Sequence, residues 1–192
     1  VDAFIARLAA DTGQVVWLNR FGGNGLDGGN EIEVDPSGDV VATVTTGSDS
    51  VDFEQGLPPY VRNDTFDLGT RRPADTFVVK MSAGGAISWI RHFDGGGGER
   101  LRAIETDSDG HVLAGLEFIG PLRLGDVSFD TADVRLDGGA FFKLDRSTAA
   151  TLLSRPLFEP DLPDGGAALL NGVDYNVRGV YGGPNGEMAV CG

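Results

Sequence analysis

A chain of 192 residues with 29 Asp and Glu against 15 Lys and Arg carries a formal net charge of −14, which repels phosphate backbones and argues against nucleic acid as a partner. Its 30 Gly and 9 Pro punctuate the chain too often for long helices, and a single cysteine, Cys191, excludes an intrachain disulfide. No apolar run approaches the ~18 residues of a spanning helix, while size scaling lets the chain bury roughly 70 % of its unfolded surface.

In chain order, Asp2–Leu8 is an apolar strand suited to burial on both faces, and a turn follows at Asp11-Thr12-Gly13. Gln14–Phe21 is a second strand with Val15, Trp17 and Phe21 expected on one side. Gly22–Gly29 is expected to be an irregular loop, because glycine pays most in entropy when ordered. In the next stretch Ile32 and Val34 alternate with Glu31 and Glu33, as on a half-buried strand. Asp35-Pro36-Ser37-Gly38 supplies turn chemistry, and Val40–Val44 is a returning strand rich in β-branched residues. Ser50–Phe53 and Thr65–Leu68 read as short edge strands around a loop containing Pro58-Pro59, and Arg71–Ala74 ends that connection.

The cycle then restarts. Asp75–Met81 repeats Asp2–Leu8, Ala86–Phe93 repeats Gln14–Phe21, and Gly95–Gly98 replaces the first glycine loop. The hairpin returns as Arg102–Ala114, with Asp107-Ser108-Asp109-Gly110 at its turn. Trp17 and Trp89, Phe21 and Phe93, and Gly38 and Gly110 are each 72 residues apart, so three landmarks share one period. A third cycle is looser. Gly138–Leu144 stands for its first strand, and Thr151–Phe158 for its second, with Ser154 in the tryptophan's place and Pro156 marking an edge position. A longer loop spans Asp161–Tyr175, and the hairpin recurs as Val177–Val190. The best helical candidate, Gly166–Asn171, is too short to carry a helical fold.

Four strands joined by hairpins cannot bury both faces alone; stacking such sheets around an axis can, so the expected fold is all-β, built of β-propeller blades of four antiparallel strands. Asp2–Leu8, Trp17-x-x-x-Phe21-Gly22-Gly23, Glu33–Val40 and Ser50–Phe53 resemble the bacterial β-propeller repeat called SBBP, with an NHL-like blade layout, well over residues 1–130 and weakly over 131–192. The resemblance implies that Glu31–Asp35 and Val40–Thr45 are inner strands and that Asp2–Leu8 and Gln14–Phe21 are outer ones. It also implies a secreted or cell-surface bacterial protein, although no signal peptide opens the chain at Val1. On that layout residues 1–30 are the outer strands of a first blade, 31–101 a second blade, 102–170 a third, and 171–192 the inner strands of a further one. These about three blade equivalents fall short of the four to eight of a closed ring. Because Met188–Gly192 reads as mid-strand, the chain is expected to be a piece of a longer protein or part of an oligomeric propeller, with further blades supplied by the same or another chain.

Asp107-Ser-Asp-Gly-His111 holds half of a calcium-loop pattern, and Asp35-Pro-Ser-Gly-Asp39 less of one; a hairpin turn accounts for both, leaving calcium as the one conceivable cofactor. The glycine loops lack a following Gly-Lys-Ser/Thr, so phosphate cradling is disfavoured. His92 and His111, the only histidines, have no zinc-ligand spacing with Cys191; His92 is expected to be partly buried or interfacial and His111 exposed. Trp17 and Trp89 suit packing between blades better than a sugar-stacking platform, and Arg71-Arg72 is read as a solvated basic island. No catalytic residue is assigned. The leading reading is a non-enzymatic extracellular or cell-surface scaffold that binds a protein or carbohydrate partner. A self-assembling structural protein joined through split blades, and a propeller hydrolase or lyase with a central-channel site, are the alternatives.

Overall fold

The computed structural model describes residues 1–62, 74–95, 99–119, 122–124, 127–129, 137–157, 177–183 and 187–191, and every regular element among them is a strand. The strands are β1 (Ala3–Leu8), β2 (Val15–Gly23), β3 (Asp27–Val34), β4 (Val40–Thr46), β5 (Ser50–Asp52), β6 (Tyr60–Val61), β7 (Asp75–Met81) and β8 (Ile87–Gly95). They continue as β9 (Glu99–Thr106), β10 (Val112–Ile119), β11 (Leu122–Leu124), β12 (Val127–Phe129), β13 (Asp137–Leu144), β14 (Thr151–Pro156), β15 (Gly179–Gly182) and β16 (Met188–Cys191). All pairings are antiparallel. The all-β reading therefore holds.

One unit is used twice in full. β3-β4-β7-β8 and β9-β10-β13-β14 have the same meander order. The hairpin turns are set by an aspartate whose carboxylate caps the loop: Asp35 Oδ1 accepts from the Ser37 and Asp39 amides, and Asp107 Oδ1 from those of Asp109 and His111. Gly38 and Gly110 supply the positive φ (83° and 80°) that closes each turn. The two short hairpins are excursions that return to the preceding sheet. β5-β6 follows β4 but pairs through β5 with β2, and β11-β12 follows β10 but pairs through β11 with β8.

Those excursions explain why the first glycine stretch is not a loop. Gly22 and Gly23 belong to β2, Gly28 and Gly29 to β3, and only residues 24–26 lie between strands. A Cβ on Gly23 would stand 1.8 Å from the Ser50 carbonyl oxygen, so the arriving β5 needs bare backbone there. Gly95 likewise belongs to β8, whereas 96–98 fall outside the described residues. The second edge strand is Tyr60–Val61; Thr65–Leu68, Arg71-Arg72 and Gly166–Asn171 also fall outside the described residues.

The sheets stack face to face with three apolar layers between them. Ile5 and Phe21 of the first sheet meet Val44, Phe77 and Met81 of the second. Val78 and Phe93 on the opposite face meet Leu116 and Phe142 of the third. Leu113 and Phe141 then meet Val177 and Val180 beside β15-β16. Middle strands are consequently covered on both faces: all seven residues of β7 are buried, and all but Thr45 of β4. At one end β3 lies beside β9, and β9 beside β15.

Four expectations are corrected, two of them by the register. A bulge between Arg7 and Leu8 sets Trp17 opposite Arg7 but Val15 opposite Leu8, turning Val15 to the other face, where it is exposed. The same bulge recurs at Lys80/Met81 and Lys143/Leu144, and there it places Leu153, not Ser154, in the tryptophan's position opposite the lysine. Pro156 does lie on an edge strand, β14. Finally, β1 is buried on one face only, and Ile32 and Val34 of β3 are exposed, because no described sheet covers that side.

Phe93 is fully buried and packs edge-on against Phe142, centroids 5.4 Å apart. Phe93→Ala should destabilise the chain by roughly 3–5 kcal/mol in urea unfolding. The exposed Phe4→Ala, by contrast, should fall within about 0.5 kcal/mol of the parent when the chain is assayed as a monomer.

Candidate functional site

The polar residues that stood out in the sequence are drawn into structural pairs. Lys80 on β7 reaches the turn of its own sheet and binds Asp35 Oδ2 at 2.6 Å, both side chains at most 5 % exposed. Lys143 on β13 does the same to Asp107 at 2.7 Å. Burial alone would raise these carboxyls. The lysine hydrogen bond, the turn amides and the lysine charge outweigh it, holding Asp35 and Asp107 below their ordinary value of 3.8. Asp107 Oδ2 in the calcium-like loop thus carries the Lys143 ammonium. Among the described residues, no three His, Cys, Asp or Glu side chains are grouped to hold a metal ion.

The tryptophans act between sheets. Trp17 Nε1 donates to the Ala83 carbonyl, and Trp89 Nε1 to that of Arg146, each 3.0 Å away in a turn of the next sheet. His111 is half-buried rather than exposed: its Nδ1 accepts from the Arg146 amide at 3.2 Å. The neighbouring turn is fixed by Asp145, whose carboxyl is held well below its ordinary value by hydrogen bonds from Ser147 and Thr148.

A concave site opens between the first and second sheets. The excursion after β4 brings Phe53, Leu57 and Tyr60 over Phe77, Ile90 and His92, leaving a groove of about 310 Å³, at the small end of ligand clefts. Its floor is aromatic. His92 stacks on Phe77 (4.6 Å, 19°) and leans on Tyr60 (4.6 Å, 57°), while Phe53 meets Phe77 edge-on at 5.2 Å. Beneath the rings lies Asp75, fully buried, accepting from Tyr60 Oη at 3.1 Å and Arg62 Nε at 2.9 Å. His92 Nε2 stands 3.6 Å from its other oxygen. His92 is therefore partly buried and interfacial, as expected.

Two devices hold the lip, and neither is legible in the linear chain. Gln55 adopts a left-handed φ of 52°, a conformation that costs a non-glycine residue roughly 1–2 kcal/mol. Three hydrogen bonds offset it: Gln55 Nε2 to Asn19 Oδ1 and the Gly85 carbonyl, and the Ile87 amide to Gln55 Oε1. At the other end Asp27 is buried and accepts from Thr46 Oγ1, Ser48 Oγ and the Gly23 amide, tying β2, β3 and the excursion together. The one available signal was an acidic residue stranded among glycines.

No protein family, no curated protein and no solved structure matches this chain. The site must be judged on its own geometry. Aromatic walls with one imidazole and a phenol anchored from below suit stacking on a flat apolar or sugar-like ring. Asp75 is spent on orienting Tyr60 and Arg62 and lies out of a ligand's reach.

Lys80→Met should cost roughly 3–5 kcal/mol near neutral pH, because it leaves Asp35 buried without its cation. Since Asp35 titrates below 3.8 in the folded chain, the pair contributes fully above that value and is lost as pH falls through the folded pKa. The gap in urea midpoint between parent and K80M should therefore narrow as the pH is lowered below 3.8.

Proposed function

We propose that this chain is a segment of an SBBP-type β-propeller that acts as a non-enzymatic binding scaffold, extracellular or on a cell surface. The observation that carries the reading is the side-by-side run of β3, β9 and β15, with sheets of one strand order fanned behind them on three apolar layers. That is the layout expected of blades set around an axis, with the first strand of each blade innermost. Glu33 and Glu105 support it: burial, and then the charge of Glu33, raise the Glu105 carboxyl, so equivalent residues of successive inner strands lie close enough to repel.

Binding is favoured over catalysis because the buried Asp27, Asp35, Asp75 and Asp107 are engaged in holding turns and orienting side chains, and the aromatic-walled groove is shaped for contact. The ligand surface we assign is that groove, whose floor is made by Tyr60, Phe77 and His92. Electron microscopy of the assembled protein should show a ring of radiating sheets; an open flat sandwich would refute the propeller. Incubation with chromogenic glycosides, carboxylic esters and phosphate monoesters should give no turnover above buffer. Turnover that disappears in His92→Gln would replace the scaffold reading by an enzyme.

A further inference from the structure

The strands β2, β8 and β14 share one register, and it fixes which of their backbone groups point away from the sheet. On β8 the Ile87 amide points outward, donating to Gln55 Oε1 at 2.9 Å. Ile87, Ile90 and His92 face Met81, Val79 and Phe77, alternate residues of β7. Their pairs are therefore of one kind, and the backbone groups of Ile90 and His92 also point outward. The counterpart of His92 is Arg20 on β2, opposite Phe4, and Pro156 on β14, opposite Ala140. Both of those positions are closed. The Arg20 amide donates to Glu54 Oε2 at 3.4 Å, and a proline has no amide hydrogen, which an outward position tolerates. On β8, by contrast, no described strand pairs with the outer side between Ile87 and Asp94, where β11 begins its pairing.

We propose that this stretch of β8 takes an extended segment of a partner protein as an added antiparallel strand, an inference that rests on the neighbouring groove being the ligand surface. The open stretch is 88–93, roughly 20 Å of strand. Its two ends show how the edge is used. Gln55 Oε1 meets the Ile87 amide as a strand carbonyl would, and β11 pairs antiparallel at Asp94 and Gly95. A segment added between them continues a pairing the chain already makes, and gains a row of backbone hydrogen bonds.

Backbone and side chains at this edge point to the same guest. Ile90 and His92, whose amides face outward, also line the groove with Leu57, Pro58 and Tyr60. In an antiparallel pair, residues directly opposite one another share a face, and at outward-pointing positions they exchange both backbone bonds. Guest residues opposite Ile90 and His92 therefore bond β8 and place their side chains in the groove, whose lining requires them to be apolar. The guest residues between them face the other side of the sheet and are free to be polar. A formal charge of −14 on the chain favours a guest with flanking lysine or arginine. A lone sugar ring would use the groove and leave both amides without a strand partner.

The test uses the full chain and a blocked peptide, Lys-Thr-Val-Thr-Val-Thr-Lys, titrated while backbone amides and the His92 ring are followed by NMR. At saturation, amide exchange at Ile90 and His92 should slow about tenfold or more. N-methylation of both valines removes the amides that face β8 and should weaken binding about tenfold or more. N-methylation of two threonines, whose amides face away, should change it by about twofold at most. An N-methylvaline peptide that binds as well as its N-methylthreonine isomer would overturn the proposal. So would failure of the parent peptide to bind at millimolar concentration, or slow exchange at Ile90 and His92 in the free chain. Methyl β-glucoside and indole, titrated alongside, separate this inference from the reading beneath it. If either shifts the His92 ring while the peptide does not bind, the groove remains a ligand surface and strand addition fails; if no probe shifts it, both fail.

Discussion

Two-sided burial of the middle strands is the constraint on which this structure depends. β4 and β7 present apolar residues to both faces, so neither is stable in an isolated sheet; each requires a neighbour above and below. Stacking follows from that need. The three apolar layers, the half-buried tryptophans that reach into the next sheet's turn, and the buried lysine on β7 all exist because another sheet lies within van der Waals distance.

Burial in turn dictates the polar chemistry. A lysine near the end of a strand covered on both sides is tolerated only with its charge matched, and Asp35 and Asp107 provide the match in the turn of the same sheet. The same carboxylates cap the hairpin turns with their other oxygen. One aspartate therefore fixes both the local turn and its contact with the third strand.

The aromatic groove has a different origin. It arises because the connection after β4 folds back on the preceding sheet instead of continuing along its own, carrying Phe53, Leu57 and Tyr60 over the start of β8. The recurrence of that return at β11-β12 marks it as part of the repeated unit. The strained Gln55 and buried Asp27 sit where the returning segment is fastened, so the lip of the groove is held by specific side chains rather than by the sheet itself.

The linear order of residues was sufficient for whatever depends on neighbours in the chain. The turn aspartates and glycines, the alternation in the strands, the 72-residue period and the all-β class were all readable, because turn chemistry and pleat are local. Facts about which surfaces meet were not readable. Gly23 looks like a loop residue until β5 is seen to need its bare backbone. The bulge that moves Val15 and selects Leu153 over Ser154 depends on a partner strand. Phe4 and Phe77 occupy equivalent positions, yet one lies in solvent and the other in the core, because burial belongs to the arrangement of sheets and not to the residue.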